Sequence, residues 1–243
     1  METYMARKAR KQHSNKANFN NMVIDLKTYQ KKKITILPRN VHQEDYIDIL
    51  SDSQTPIAFA TGPAGTGKTM LAVQMGIQKF ESGEINRIVI TRPAVSVDEQ
   101  HGFLPGSLKD KMAPWTRPIF DVLEEHWDPK QVERMIESKE IEIAPLAYMR
   151  GRTFKECWIV ADEMQNATPN QMKMLLTRLG EESMMAVTGD LNQADRLKDN
   201  GLIDFTRLLE HSDQSCLSVV QFDKGDIERH AAVKAVLAVY GDD

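Results

Sequence analysis

Residues 56–69, Pro-Ile-Ala-Phe-Ala-Thr-Gly-Pro-Ala-Gly-Thr-Gly-Lys-Thr, constrain the chain more than any other stretch. The apolar run from Ile57 to Ala60 reads as a buried strand. It runs into Gly62-Pro63-Ala64-Gly65-Thr66-Gly67-Lys68-Thr69, which fits the phosphate-binding loop G-x-x-x-x-G-K-[ST] at every specified position. Leu71, Ala72, Met75 and Ile77 then recur at roughly helical spacing, so the motif has its strand–loop–helix setting. Gly62, Gly65 and Gly67 let backbone N–H groups turn inward around an anion, and the following helix points its positive dipole end at the same place. Lys68 can reach β- and γ-phosphates, and the Thr69 hydroxyl suits Mg²⁺.

A chain of 243 residues, 41% hydrophobic and 27% charged, has the length and balance of one large soluble domain with small appendages. No apolar run approaches the ~18 residues of a membrane helix, and no signal-peptide pattern opens the sequence. Cys157 and Cys216 stand outside any C-x-x-C spacing, which points to a reducing, cytoplasmic setting. The net charge of −4 hides an asymmetry. Residues 1–40 hold 10 Lys or Arg against 2 Asp or Glu, giving +8 and leaving −12 for the rest. We therefore divide the chain into a basic arm, 1–33, and a domain, 34–243; the arm suits an anionic partner or is a solvated tail.

Along the chain, an edge strand is expected within Leu26–Leu37 and a helix over Val41–Leu50. Gln43 sits near the head of that helix; its amide offers one donor and one acceptor together, the pair that reads an adenine edge. A strand over Arg87–Thr91 places Arg92 at its carboxyl end, where open α/β sheets bind ligands. Residues 95–150 read as a largely helical insertion, with a helix over Ser107–Trp127 that Pro114 and Pro118 break or kink, a short helix over Val132–Ile136 and a strand over Ile141–Ala144. Arg150 and Arg152 flank Gly151, a spacing suited to phosphate of ATP or of a nucleic-acid backbone.

The strand Cys157–Ala161 ends in Asp162-Glu163. Behind a phosphate loop, these acids suit Mg²⁺ binding by Asp162 and polarisation of an attacking water by Glu163. A helix is expected over Met164–Leu179 and a strand over Met184–Val187. The strand ends in Thr188-Gly189-Asp190-Leu191-Asn192-Gln193, where the Gln193 amide can sense a γ-phosphate. A helix over Leu202–Leu209, a strand over Leu217–Phe222 and a last helix from Asp226 complete the pattern, with Arg229 placed to stabilise transition-state charge or to lie on a helix surface. The fold class is α/β, a P-loop NTPase with a mainly parallel sheet between two helical layers.

Taken together, these stretches resemble the ATPase domain of the PhoH family, related to superfamily 1 helicases. The resemblance rests on the loop at 62–69, Thr-Arg-Pro-Ala-Val at 91–95, Gly-Phe-Leu-Pro-Gly at 102–106 and Met-Arg-Gly-Arg-Thr at 149–153. It continues through Asp-Glu-Met-Gln-Asn at 162–166, Thr-Gly-Asp-Leu-Asn-Gln at 188–193 and Arg-His at 229–230. It spans roughly residues 34–241, and departs from it at Met164, where family members commonly carry Ala. The resemblance implies a RecA-like core, ATP binding, Mg²⁺-dependent hydrolysis and a role in RNA metabolism. Helicases of that relationship close two lobes around ATP, and 243 residues hold only one. The expectation is a homo-oligomer, a head-to-tail ring such as a hexamer, with Arg150, Arg152 or Arg229 reaching a neighbour's ATP. The output expected first is remodelling or unwinding of RNA or single-stranded DNA, with Arg92 and the arm as contacts. A non-motor switch or assembly factor is the alternative. A small-molecule kinase comes third, because a water-activating Glu163 would waste its ATP.

Overall fold

The computed structural model describes residues 34–93, 108–191 and 200–228, together with positions 232, 233, 236 and 239; side chains are described from 116 onward in the second stretch. Six strands form one sheet: β1 (Ile57–Thr61), β2 (Arg87–Thr91), β3 (Ile141–Ile143), β4 (Cys157–Ala161), β5 (Met184–Gly189) and β6 (Leu217–Gln221). Their order is β3-β2-β4-β5-β1-β6, and every neighbouring pair is parallel. The helices are α1 (Val41–Ser51), α2 (Lys68–Ser82), α3 (Leu108–His126), α4 (Pro129–Glu137), α5 (Pro169–Leu176) and α6 (Gly201–Leu209).

Alternation along the strands divides the core into two layers. Ala58, Ala60, Ile88, Ile90, Trp158 and Val160 face α1, α2, α3 and α4. Ile57, Phe59, Val89, Ile159, Met185 and Val187 face α5 and α6. The small residues Ala58, Ala60 and Ala186 let α2 lie close to the sheet centre. Trp158 fixes that approach, donating from Nε1 to Ala72 O at 2.9 Å. Gly76 is required there, because a Cβ would stand 2.5 Å from Trp158 Cδ1.

Leaving β1, the chain passes over the positions of β5 and β4 before adding β2. Neighbouring strands thus send their connections in opposite directions, and a crevice opens at the carboxyl ends of β1, β5 and β4. β5 lies between the strand of the phosphate loop and the strand of Asp162.

Several local expectations need correction. Residues 34–37 are not a strand, although Ile34 and Ile36 pack on the core; 26–33 lie outside the described residues. The helix expected over 164–179 splits into a 3-10 turn, Met164–Asn166, and α5. Pro169 takes the first position of α5, which favours proline, and Thr168 with Gln171 builds a capping box in front of it. Conversely, α3 runs unbroken through Pro114 and Pro118. Within 95–150, the strand expected over Ile141–Ala144 forms as β3 and pairs with β2 as the sheet's edge. Asp226 closes a 3-10 turn, Lys224–Asp226, and does not open the last helix as expected. No described helix is long and apolar enough to cross a membrane.

Candidate nucleotide-binding site

The loop between β1 and α2 wraps around a cavity of about 310 Å³. Gly62, Gly65 and Gly67 have φ of 138°, 87° and 86°, where an L side chain is strained. Gly62 has a second constraint: a Cβ there would stand 2.4 Å from Phe222 O. Gly67 precedes α2, so the helix's free N–H groups face the cavity.

Lys68 curls back over its own loop. Its Nζ donates to Gly62 O at 2.8 Å, Pro63 O at 2.6 Å and Thr66 Oγ1 at 3.1 Å. Burial pushes its pKa down, and the negative charges of Asp190, Glu163 and Asp162 oppose that push. Next to it, Thr69 Oγ1 donates to Asp162 Oδ1 at 2.7 Å, and Thr188 Oγ1 donates to the same oxygen at 2.6 Å. Two hydroxyls and a carboxylate thus converge from α2, β5 and the end of β4. An all-oxygen cluster of this kind fits a hard cation such as Mg²⁺, with Thr69 and Asp162 as its holders.

Glu163 follows in the left-handed region at φ 55°, which turns the chain at the end of β4. Arg92 Nη2 lies 2.8 Å from its Oε1 and 3.9 Å from Asp162 Oδ2. Its other oxygen accepts from Gln165 Nε2. Gln165 is 2% exposed, and its Oε1 accepts from the backbone N–H of Asp190 at 3.1 Å. Asp190 Oδ2 in turn accepts from Ala64 N at 3.2 Å. A line of hydrogen bonds therefore joins Glu163 to the phosphate loop across the end of β5.

Of the residues expected at the site, Ala64, Gly65, Gly67, Lys68, Thr69, Asp162 and Glu163 line one cavity, and Gly62, Pro63 and Thr66 complete the loop around it; Thr188, Gln165 and Asp190 were not expected there. Nor were Pro118 and Val122 of α3, which line the same cavity and make the region before β3 part of its wall. All but these last two lay within stretches already singled out, Asp-Glu-Met-Gln-Asn and Thr-Gly-Asp-Leu-Asn-Gln.

Gln43 is placed differently from its expected role. Its Oε1 accepts from Arg39 N at 2.9 Å and its Nε2 donates to Thr66 O at 3.0 Å. The amide, 1% exposed, braces the phosphate loop and does not line the cavity. Arg152 is not offered to a phosphate: it grips Glu142 bidentately, at 2.5 and 3.0 Å, and stacks over Phe154. Arg150 is exposed and lines a separate groove with Asn170, Gln171 and Lys173. Gln193 and Arg229 lie outside the described residues. The residue before Arg229 does touch the site, since Glu228 N donates to Gly65 O at 3.0 Å.

The profile of the family described as PhoH-like protein matches residues 35–241. The chain belongs to the PhoH family. A PhoH-like protein of Bacillus subtilis (strain 168) is 41% identical over 91% of this chain and 69% of its own length. One of Mycobacterium leprae is 40% identical over 90% and 62%, and Protein PhoH of Escherichia coli K12 is 39% identical over 84% and 58%. This PhoH-family chain therefore spans about three-fifths to two-thirds of these relatives. Among solved structures, the Sulfolobus solfataricus SWI2/SNF2 ATPase core in complex with dsDNA is 13% identical with a TM-score of 0.45, covering 82% of this chain and 48% of that one. The Pif1 helicase of Candida albicans is 13% identical with a TM-score of 0.38, covering 78% and 41%. Both overlaps are partial.

Proposed function

We propose that the chain is a Mg²⁺-dependent ATPase that couples hydrolysis to remodelling of RNA or single-stranded DNA. The observation that carries the reading is the meeting of Lys68, Thr69, Asp162 and Glu163 at one glycine-lined cavity. ATP when bound would supply the phosphoanhydride, and Mg²⁺ would neutralise its phosphate charge. The chain's own part is to cradle phosphate oxygens with the 62–69 backbone and to place the Lys68 ammonium beside them. Thr69 and Asp162 would hold the cation, and Glu163 would orient a water.

Within this reading, Gln193 senses the γ-phosphate. Arg229 completes the site from the same chain or from a neighbour in a head-to-tail ring. Gln43 would read adenine only by exchanging its bonds to Arg39 and Thr66. Arg92, Arg150 and the basic arm are the proposed strand contacts, and Arg152 serves the fold. The free thiols of Cys157 and Cys216 agree with a cytoplasmic setting.

One observation favours the non-motor switch: Pro118 and Val122 put α3 in the cavity wall, so phosphate occupancy can move an element outside the loop. ATP hydrolysis measured with and without single-stranded RNA and DNA separates the readings. Strand-dependent acceleration that Lys68→Ala abolishes supports the first. Hydrolysis indifferent to every strand, with protein partners captured only in ATP, supports the switch. Mass photometry with ATP tests the ring, and full activity from a strict monomer would exclude it.

A further inference from the structure

Arg92 and Glu163 close the ends of neighbouring strands. The register pairs Thr91 with Ala161, so the residues that follow are brought side by side. Arg92 Nη2 stands 2.8 Å from Glu163 Oε1, while Gln165 Nε2 donates to Oε2. Both oxygens of the carboxylate expected to orient water are therefore held by protein donors. The two donors differ in kind. Gln165 is buried and anchored through Asp190 N to the rest of the site. The Arg92 side chain is 20% exposed and that of Glu163 35%, so this contact lies at the rim, within reach of an outside anion.

We propose that Arg92 is a positioning residue that restrains Glu163, and that a backbone phosphate of single-stranded nucleic acid releases Glu163 by taking the guanidinium. The proposal rests on the strand-coupled reading above and names how that coupling enters the site. The exchange keeps charge in balance, because one monoanionic phosphodiester replaces one carboxylate as the guanidinium's partner. A guanidinium's planar fork fits phosphate oxygens as well as it fits a carboxylate. Arg92 stands at the carboxyl edge of the sheet, where ligands of open α/β folds gather. Coupling of this kind is reciprocal: if a strand weakens the Arg92–Glu163 contact, the contact must weaken strand binding by the same factor.

That reciprocity gives a test without nucleotide. The affinity of a fluorescent single-stranded RNA oligomer is measured by anisotropy, at one salt concentration, for the wild type, Glu163→Gln, Arg92→Gln and the double variant. Glu163→Gln removes one anionic partner of Arg92 and is expected to tighten binding about 1.5- to 5-fold, the range for a partly exposed ion pair. Arg92→Gln is expected to weaken binding by a similar factor, and Glu163→Gln should then change nothing in that background. The proposal is overturned if Glu163→Gln has no effect, or has the same effect in both backgrounds, since simple charge removal would do that. Arg92→Lys, which keeps the charge but loses the fork, is expected to fall between, and it replaces Arg92→Gln if that variant fails to fold. If the wild type binds neither RNA nor single-stranded DNA, the strand reading and the trigger fall together. The restraint is then judged by nucleic-acid-free ATP hydrolysis. A rise of several-fold in Arg92→Gln upholds the restraint, and an unchanged or lower rate overturns it.

Discussion

Replacing Gln165 with Met keeps the length and volume of the side chain and removes both of its hydrogen-bonding arms. One arm satisfies the buried N–H of Asp190 at 3.1 Å. Leaving that group unpaired costs about 1–3 kcal/mol, because no water replaces a partner at a site 2% exposed. The other arm reaches Glu163, whose side chain is 35% exposed, so water offsets most of that loss. For a domain of this size, about 1–3 kcal/mol lowers Tm by roughly 2–12 °C. The catalytic effect comes from the second arm. A Glu163 held only by Arg92 loses its alignment, and misplacement of this order lowers kcat by about 10- to 100-fold. KM for ATP should change less than kcat, because Gln165 reaches the 62–69 loop only through Asp190 and makes no hydrogen bond to Lys68. Differential scanning fluorimetry and steady-state ATP hydrolysis read the two arms separately. A Met variant with unchanged Tm would refute the assignment of the Asp190 bond, and unchanged kcat would refute the role given to Gln165 at Glu163.

Three further outcomes follow from contacts elsewhere. Arg152 and Arg87 hydrogen-bond Glu142 and hold its carboxyl below the ordinary value near 4.5. Its stabilisation is therefore complete above that value and lost as pH falls through the folded pKa. Glu142→Gln should cost about 1 kcal/mol at neutral pH, discounted for the exposed arginines, and nearly nothing in acid, as denaturant titrations at both pH values can show. His42 has the opposite sign. Its hydrogen bond to Asp226 raises its pKa above 6.5, so this contribution is full below 6.5 and disappears as pH rises through the folded value. The decline of Tm with rising pH near neutrality should flatten in Asp226→Asn. Gly76→Ala drives a Cβ into Trp158 and should destabilise by about 1–3 kcal/mol, whereas an unchanged urea midpoint would show that α2 moves away without penalty.

The phosphate loop was legible in the sequence because phosphate geometry dictates the spacing of Gly62, Gly67, Lys68 and Thr69, and few other structures need that spacing. Asp162 and Glu163 were legible because an apolar strand ending in two acids has few other uses behind such a loop. Thr188 was not, because its meeting with Asp162 depends on β5 lying between β1 and β4, and strand order leaves no mark on local pattern. Arg152 misled for a related reason. Its partner Glu142 comes from β3, and only the pairing of β3 with β2 and the path back to β4 bring the two together. Gln43 had the right chemistry, but a buried amide serves whichever groups surround it, and here those are Arg39 and Thr66. The split of the helix at 164–179 could have been read from Thr168-Pro169 and Gln171, a start signal lying inside an apolar periodicity.

The central claim is that Lys68, Thr69, Asp162 and Glu163 form a strand-responsive ATP-hydrolysing site. The most direct measurement is the rate of phosphate release from ATP with Mg²⁺, with and without single-stranded RNA, in the wild type and in Glu163→Gln, with ATP binding followed in parallel. The expected result is Mg²⁺-dependent release that RNA accelerates in the wild type, and ATP binding without release in Glu163→Gln. Equal release from both proteins, or none from a wild type that binds ATP with Mg²⁺ and RNA present, would contradict it.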